Sequence, residues 1–182
     1  MLRLVGVAAL LIVGIAAIGC PATAAPRGKR PANVDDDAFQ SALVAAHDDV
    51  RAAVIPTPAA PLPPMSWDDD VAAVAQEWAE RCVFEHRVPN SFGENLALFS
   101  DTETAPEAVV EAWAVEAADY DYADNSCRPG AQCGHYTQIA WRDSTKLGCG
   151  VAVCEDVAGF GPGALWVCNY DPPGNFVGER PY

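Results

Sequence analysis

Glu116 is the residue whose position first asks for a chemical explanation. It falls in the pattern Val109, Trp113, Glu116, Tyr120, which sets a carboxylate inside an apolar helical stripe. Carboxylates are seldom buried without a partner, so Glu116 requires a cation, a histidine or a polar cleft beside it. The chain has three histidines, His47, His86 and His135. Imidazoles with carboxylates form a donor set for zinc or another divalent cation, and for activating a water bound to one. Common enzyme fingerprints are missing: there is no H-E-x-x-H, G-x-S-x-G, phosphate-binding loop or G-x-G-x-x-G.

The cysteines set the compartment. There are seven, and setting aside Cys20 in the leader leaves six in an exported domain, which reads as three disulfides. Cys127 and Cys133 bracket a Pro129-Gly130 turn and are close enough to staple it. Cys149 and Cys154 fall on one predicted strand at an odd spacing, so they point to opposite faces and take different partners. If all six are paired, no thiol is left as a nucleophile.

Residues 1–20 read as a signal peptide: Arg3 precedes an uncharged apolar run, residues 4–18, that is short for a membrane span. Ala17-Ile18-Gly19-Cys20 resembles a bacterial lipobox, which implies lipidation at Cys20 in an exported bacterial protein. The alternative is cleavage after Ala22-Thr23-Ala24, with Cys20 discarded. Either way the chain is exported, to the cell envelope or beyond, and meets a membrane only through a lipid at Cys20. Residues 21–36, with prolines and an Arg-Gly-Lys-Arg run, read as a flexible tether, leaving 37–182 as one domain. The formal charge of −14 argues against a nucleic-acid partner, which would require a basic footprint. A monomer is expected.

Three helices and two strands can be placed. Phe39, Leu43, His47, Val50 and Val54 follow helical spacing after a cap at residues 35–37, and His47 is expected to be a hydrogen-bonded core residue. Five prolines end that helix. Asp68 caps a second helix with the stripe Val71, Val74, Trp78, Cys82, and His86 continues that face if the helix persists. Thr104-Ala105-Pro106-Glu107 opens the third with a capping box. His135, Ile139 and the adjoining Trp141 suit a short fourth segment. Residues 147–154 and 165–170 form an antiparallel hairpin across a Gly-rich loop, and strands after helices indicate an α+β fold.

Four motifs in order resemble the CAP superfamily of cysteine-rich secretory, antigen 5 and pathogenesis-related class 1 proteins, and most of all its plant branch. They are H-D-D-V-R at 47–51, G-E-N-L-A at 93–97, G-H-Y-T-Q-I-A-W with L-G-C-G-V, and the closing C-N-Y-D-P-P-G-N-F-V-G-E-R-P-Y. The resemblance implies a three-layer α-β-α sandwich with a central antiparallel sheet, and the disulfides Cys82–Cys154 and Cys149–Cys168 beside Cys127–Cys133. It also implies that His86, Glu94, Glu116 and His135 line one cleft, where the two histidines bind zinc or another divalent metal. The function implied is binding of a lipid or sterol, a peptide or a partner protein. The alternatives are a metal-dependent hydrolase using Glu94 or Glu116 as base, and an extracellular scaffold without a ligand. In some plant relatives the C-terminal peptide is released. Here residues 172–182 are expected to pack beside the strand ending at Tyr170.

Overall fold

The computed structural model describes residues 27–182. The expectations for the signal peptide, Cys20 and the first part of the tether lie outside the described residues.

The middle layer is a sheet of strand order β1-β5-β6-β2. β5 (Lys146–Cys154) and β6 (Gly163–Asp171) pair antiparallel from end to end, and β2 (Gly93–Phe99) lies antiparallel on the far side of β6. The two-residue β1 (Ser66–Trp67) runs parallel to the start of β5, so the expected antiparallel sheet is mixed by one short strand. One sheet face carries α1 (Asp37–Ala52), α3 (Pro106–Ala114) and α4 (Gly134–Ile139). The other carries α2 (Asp69–Ala79). β3 (Tyr120–Asp121) and β4 (Ser126–Cys127) form a separate hairpin. This is the α+β three-layer sandwich.

β2 was not foreseen. Leu96-Ala97-Leu98-Phe99 shows no polar–apolar alternation because helices cover both faces of the sheet there, leaving no solvated side to mark the period. The core it joins is large. Leu147, Leu165 and Tyr170 are fully buried, and each leucine contributes roughly 2 kcal/mol by leaving water.

On α2 the fully buried residues are Val71, Ala75, Gln76 and Ala79; of the expected stripe, Val71 is among them, Trp78 and Cys82 pack against the same core while partly buried, and Val74 does not. The cause lies on β5. A Cβ at Gly148 or Gly150 would collide with the backbone of residues 71–72 or 75–76, so the helix backbone rests directly on the strand. Gln76 uses that approach to bond Val151 through both its amide groups, at 3.0 Å each. Trp78 stays partly exposed, with Arg81 5.0 Å over its ring. Because α2 stops at Ala79, Cys82 sits in the following turn and His86 in a loop.

Helix starts agree in part. Asp68 caps α2 by accepting from the Asp70 and Val71 N–H groups. The acidic run before α1 makes no side-chain cap. The capping box expected at Thr104 is absent, since Thr104 Oγ1 donates to Asp101 O, and Ala105 precedes Pro106 at the first helical position. α3 then tightens into a 3-10 turn, Val115–Asp119, that holds Glu116.

Residues 27–36 correct the expected tether. Lys29 and Val153 exchange both backbone hydrogen bonds at 2.8 Å, Gly28 N donates to Glu80 O, and Val34 is buried. The reason is the free edge of β5 beyond β1, whose backbone groups require partners. The C-terminal segment also differs. Rather than lying beside β6, residues 172–182 cross α4 and the β3–β4 hairpin: Arg142 N donates to Pro181 O, Asn125 Nδ2 to Glu179 O, and Tyr182 stacks on Tyr122. All three expected disulfides are present. Cys149 faces Cys168 across the hairpin while Cys154 points the other way to Cys82. The bridge with the longest loop contributes on the order of 4 kcal/mol in the chain-entropy account.

Candidate functional site

The four residues expected to line one cleft come together as two pairs. His86 Nδ1 donates to Glu94 Oε1 at 2.8 Å, and His135 Nδ1 donates to Glu116 Oε1 at 2.6 Å. A carboxylate only accepts, so Nδ1 carries a proton in both rings, and in the neutral ring Nε2 keeps its lone pair.

In the first pair, β2 presents Glu94 and the loop after α2 wraps it. Arg87 N and Asn90 Nδ2 complete its donors at 3.0 and 3.2 Å. The Glu94 side chain is 4% exposed and that of His86 62%. The hydrogen bond that His86 donates to Glu94 raises the His86 pKa, burial works against it, and the carboxylate charge adds to the rise.

In the second pair the ring is the less exposed one, at 24%. Glu116 Oε2 accepts the N–H groups of His135 and Tyr136 at the start of α4, donors that otherwise lack intrahelical partners. The His135 ring stacks on Trp113, at 6.0 Å between centroids. Burial is the largest influence on Glu116 and pushes its pKa up. The His135 hydrogen bond and charge, with the two backbone donors, outweigh it and hold the carboxyl below its usual value. The sequence requirement that Glu116 find a partner is met by a histidine and a helix start together.

Asn95, which the sequence reading passed over, stands between the pairs. Its Nδ2 donates to His135 O and to Tyr170 Oη. Tyr170 in turn donates to His47 Nε2, and His47 Nδ1 donates to Leu43 O. Burial, opposed by that backbone bond and reinforced by Arg51, lowers the His47 pKa to about 4, so it is the neutral core histidine expected. Arg51 is also buried, with its donors spread over carbonyls of Pro63, Ile139, Trp141 and Arg142. The last positions of H-D-D-V-R and G-E-N thus hold polar core residues. Only the motif positions themselves signalled them.

Glu94 and Asn95 are adjacent on β2 and face opposite sides of the sheet. Glu94 shares its side with Leu96 and Leu98, which pack with α2, and Asn95 points to the α1–α3–α4 side. Among the described residues, no three His, Cys, Asp or Glu side chains are grouped so as to hold a metal ion. Three buried side-chain atoms lack a protein partner among the described residues: Trp166 Nε1 and both amide atoms of Asn169. Such atoms cost on the order of 1–3 kcal/mol each.

Residues 44–170 match the family model described as the cysteine-rich secretory protein family, CAP. The chain belongs to the CAP family. It is 40% identical over 143 residues to the pathogenesis-related protein PR-1 type of Sambucus nigra, covering 76% of this chain and 79% of that one. Pathogenesis-related leaf protein 4 of Solanum lycopersicum is 44% identical over 142 residues, covering 76% and 80%. Among solved CAP structures, NaASP2 with Zn2+ superposes with a TM-score of 0.65 at 26% identity, over 84% of this chain and 89% of that one.

Proposed function

We propose that this CAP domain is an exported binding protein in which His86 and His135 coordinate a divalent cation, zinc foremost. The observation that carries this reading is the paired geometry. Each ring gives its Nδ1 proton to a carboxylate and leaves Nε2 free as a ligand nitrogen, the orientation that metal-binding histidines take from their outer partners. A relative solved with Zn2+ supports the choice of ion. Two imidazoles make an incomplete shell, so water or a group of the bound molecule completes it. The molecule bound is a lipid or sterol, a peptide or a partner protein.

Hydrolysis is the weaker reading. Glu94 and Glu116 each already accept three N–H donors, which leaves neither poised as a general base.

Calorimetry with zinc on the wild type, His86→Ala and His135→Ala tests the site. Each variant is expected to bind at least tenfold more weakly. Affinity is also expected to fall as pH drops through the raised His86 pKa, where protons compete for the ring. Equal binding by wild type and the double variant removes the metal. Metal-dependent cleavage of a peptide or ester that disappears in Glu94→Gln or Glu116→Gln replaces binding by hydrolysis.

The finer reading of export is a lipid anchor at Cys20 on a bacterial cell envelope, supported by the lipobox-like Ala17-Ile18-Gly19-Cys20. Mass spectrometry of the mature protein is expected to show a lipidated Cys20 at its N-terminus. A mature chain beginning at or near Ala25 refutes the anchor.

A further inference from the structure

A line of polar side chains runs from the surface into the core on the α2 side of the sheet. His86 is mostly exposed, Glu94 is 4% exposed, and Asn169 behind it is fully buried. Glu94 and Asn169 are direct partners in the β2–β6 register. They share a sheet face, since Leu96 and Leu98 on β2 and Leu165 and Val167 on β6 pack together against α2. Directly opposed residues bring their Cβ atoms to about 5 Å, so the amide and the carboxylate are neighbours.

Their hydrogen bonding is lopsided. Among the described residues, Glu94 Oε1 accepts two donors, while Oε2 accepts Asn90 Nδ2 alone, at the long distance of 3.2 Å. Among the same residues, Asn169 Oδ1 and Nδ2 have no partner. An accepting oxygen with spare capacity is thus the register neighbour of a buried amide with nothing to donate to. On the other side of Asn169 the register partner is Gly148, which brings the α2 backbone down over the strand and closes off solvent.

We infer that a buried water joins the Asn169 amide to Glu94, making Asn169 a positioning residue that holds the Glu94 carboxylate toward His86. A single water joins the two groups: it accepts from Asn169 Nδ2 and donates to Glu94 Oε2, as buried waters do where polar groups lack partners. Glu94 is then fixed from behind as well as from the loop, and His86 keeps its proton on Nδ1 and its lone pair on Nε2. The inference deepens the proposed use of His86 as a ligand nitrogen, yet its test needs no metal.

A high-resolution crystal structure of the metal-free protein is expected to show an ordered water within hydrogen-bonding distance of both Asn169 and Glu94. An amide bonded elsewhere, or no water there, overturns the inference. The role is read separately from the tautomer of neutral His86 at pH 8, by 15N chemical shifts. In Asn169→Leu, similar in size but apolar, the fraction protonated at Nδ1 is expected to fall by at least half. Asn169→Ser, which keeps a hydroxyl and room for water, is expected to hold it near the wild-type value. A wild-type tautomer in Asn169→Leu shows that Asn169 only fills space. Failure of zinc to bind the wild type, with the tautomer behaving as expected, sinks the metal reading and leaves this one standing.

Discussion

His86 and Glu94 are eight residues apart in sequence, His135 and Glu116 nineteen, and the longer separation goes with the less exposed ring, while the more buried carboxylate is Glu94. The first pair joins a strand to the loop that precedes it. Losing it releases one stretch of backbone. The second joins the turn after α3 to the first turn of α4, with Trp113 stacked on the ring. Losing that one strands helix-start amides that no water replaces easily. The same two side-chain types thus serve one pair that presents a ring to solvent and another that fastens two elements. If both rings bind one ion, the exposed ring is the one free to adapt and the buried ring is the fixed point.

Substitution separates the two roles. The largest effect is expected from Glu116→Ala, a loss of about 3 kcal/mol in urea denaturation, because two helix-start backbone N–H groups and the less exposed ring lose their acceptor, whereas Glu94 holds one backbone donor and an exposed ring. Glu94→Ala is expected to cost about half as much, with faster amide exchange confined to residues 83–92. His86→Ala should stay within about 0.5 kcal/mol of wild type, as exposed positions do. Equal losses from the two glutamates would erase the distinction between them.

The smaller test uses pH. The folded carboxyl of Glu116 lies below its usual value, so the stability it contributes is present above the ordinary carboxylate range and disappears as pH falls through the folded pKa. His47 acts in the same direction but at higher pH. Its folded pKa of about 4 means stability is lost between roughly pH 6.5 and 4, where the unfolded chain takes up the proton. That loss is common to wild type and Glu116→Gln, so it cancels in their difference. The difference is expected to hold steady down to about pH 4.5 and to shrink below it. A gap that widens on acidification would place the charge of Glu116 elsewhere.

Much of this was legible beforehand. Cysteine parity on one strand separated Cys149 from Cys154, and a carboxylate in the α3 stripe announced a partner. What the sequence hid follows from backbone proximity. The buried face of α2 holds two alanines because two glycines on another strand bring the helix backbone down onto it. β2 was masked by burial on both faces. The sides on which Glu94 and Asn95 point depended on that unseen strand, so the motifs gave the four residues but not their division into two His–Glu pairs.

The order in which the strands occur in the chain has a consequence for how the protein matures. β5 and β6, at the centre of the sheet, are among the last segments to leave a translocation channel, and every helix layer waits for them. Until they emerge, α2 and β2 lack the strands they pack on and pair with, and α1 has chiefly α3 to pack against. Cys82 meanwhile travels 72 residues ahead of Cys154, in the company of Cys127 and Cys133. Correct oxidation is therefore a matter of timing, governed by how quickly the six-residue Cys127–Cys133 loop closes and withdraws those two thiols from competition.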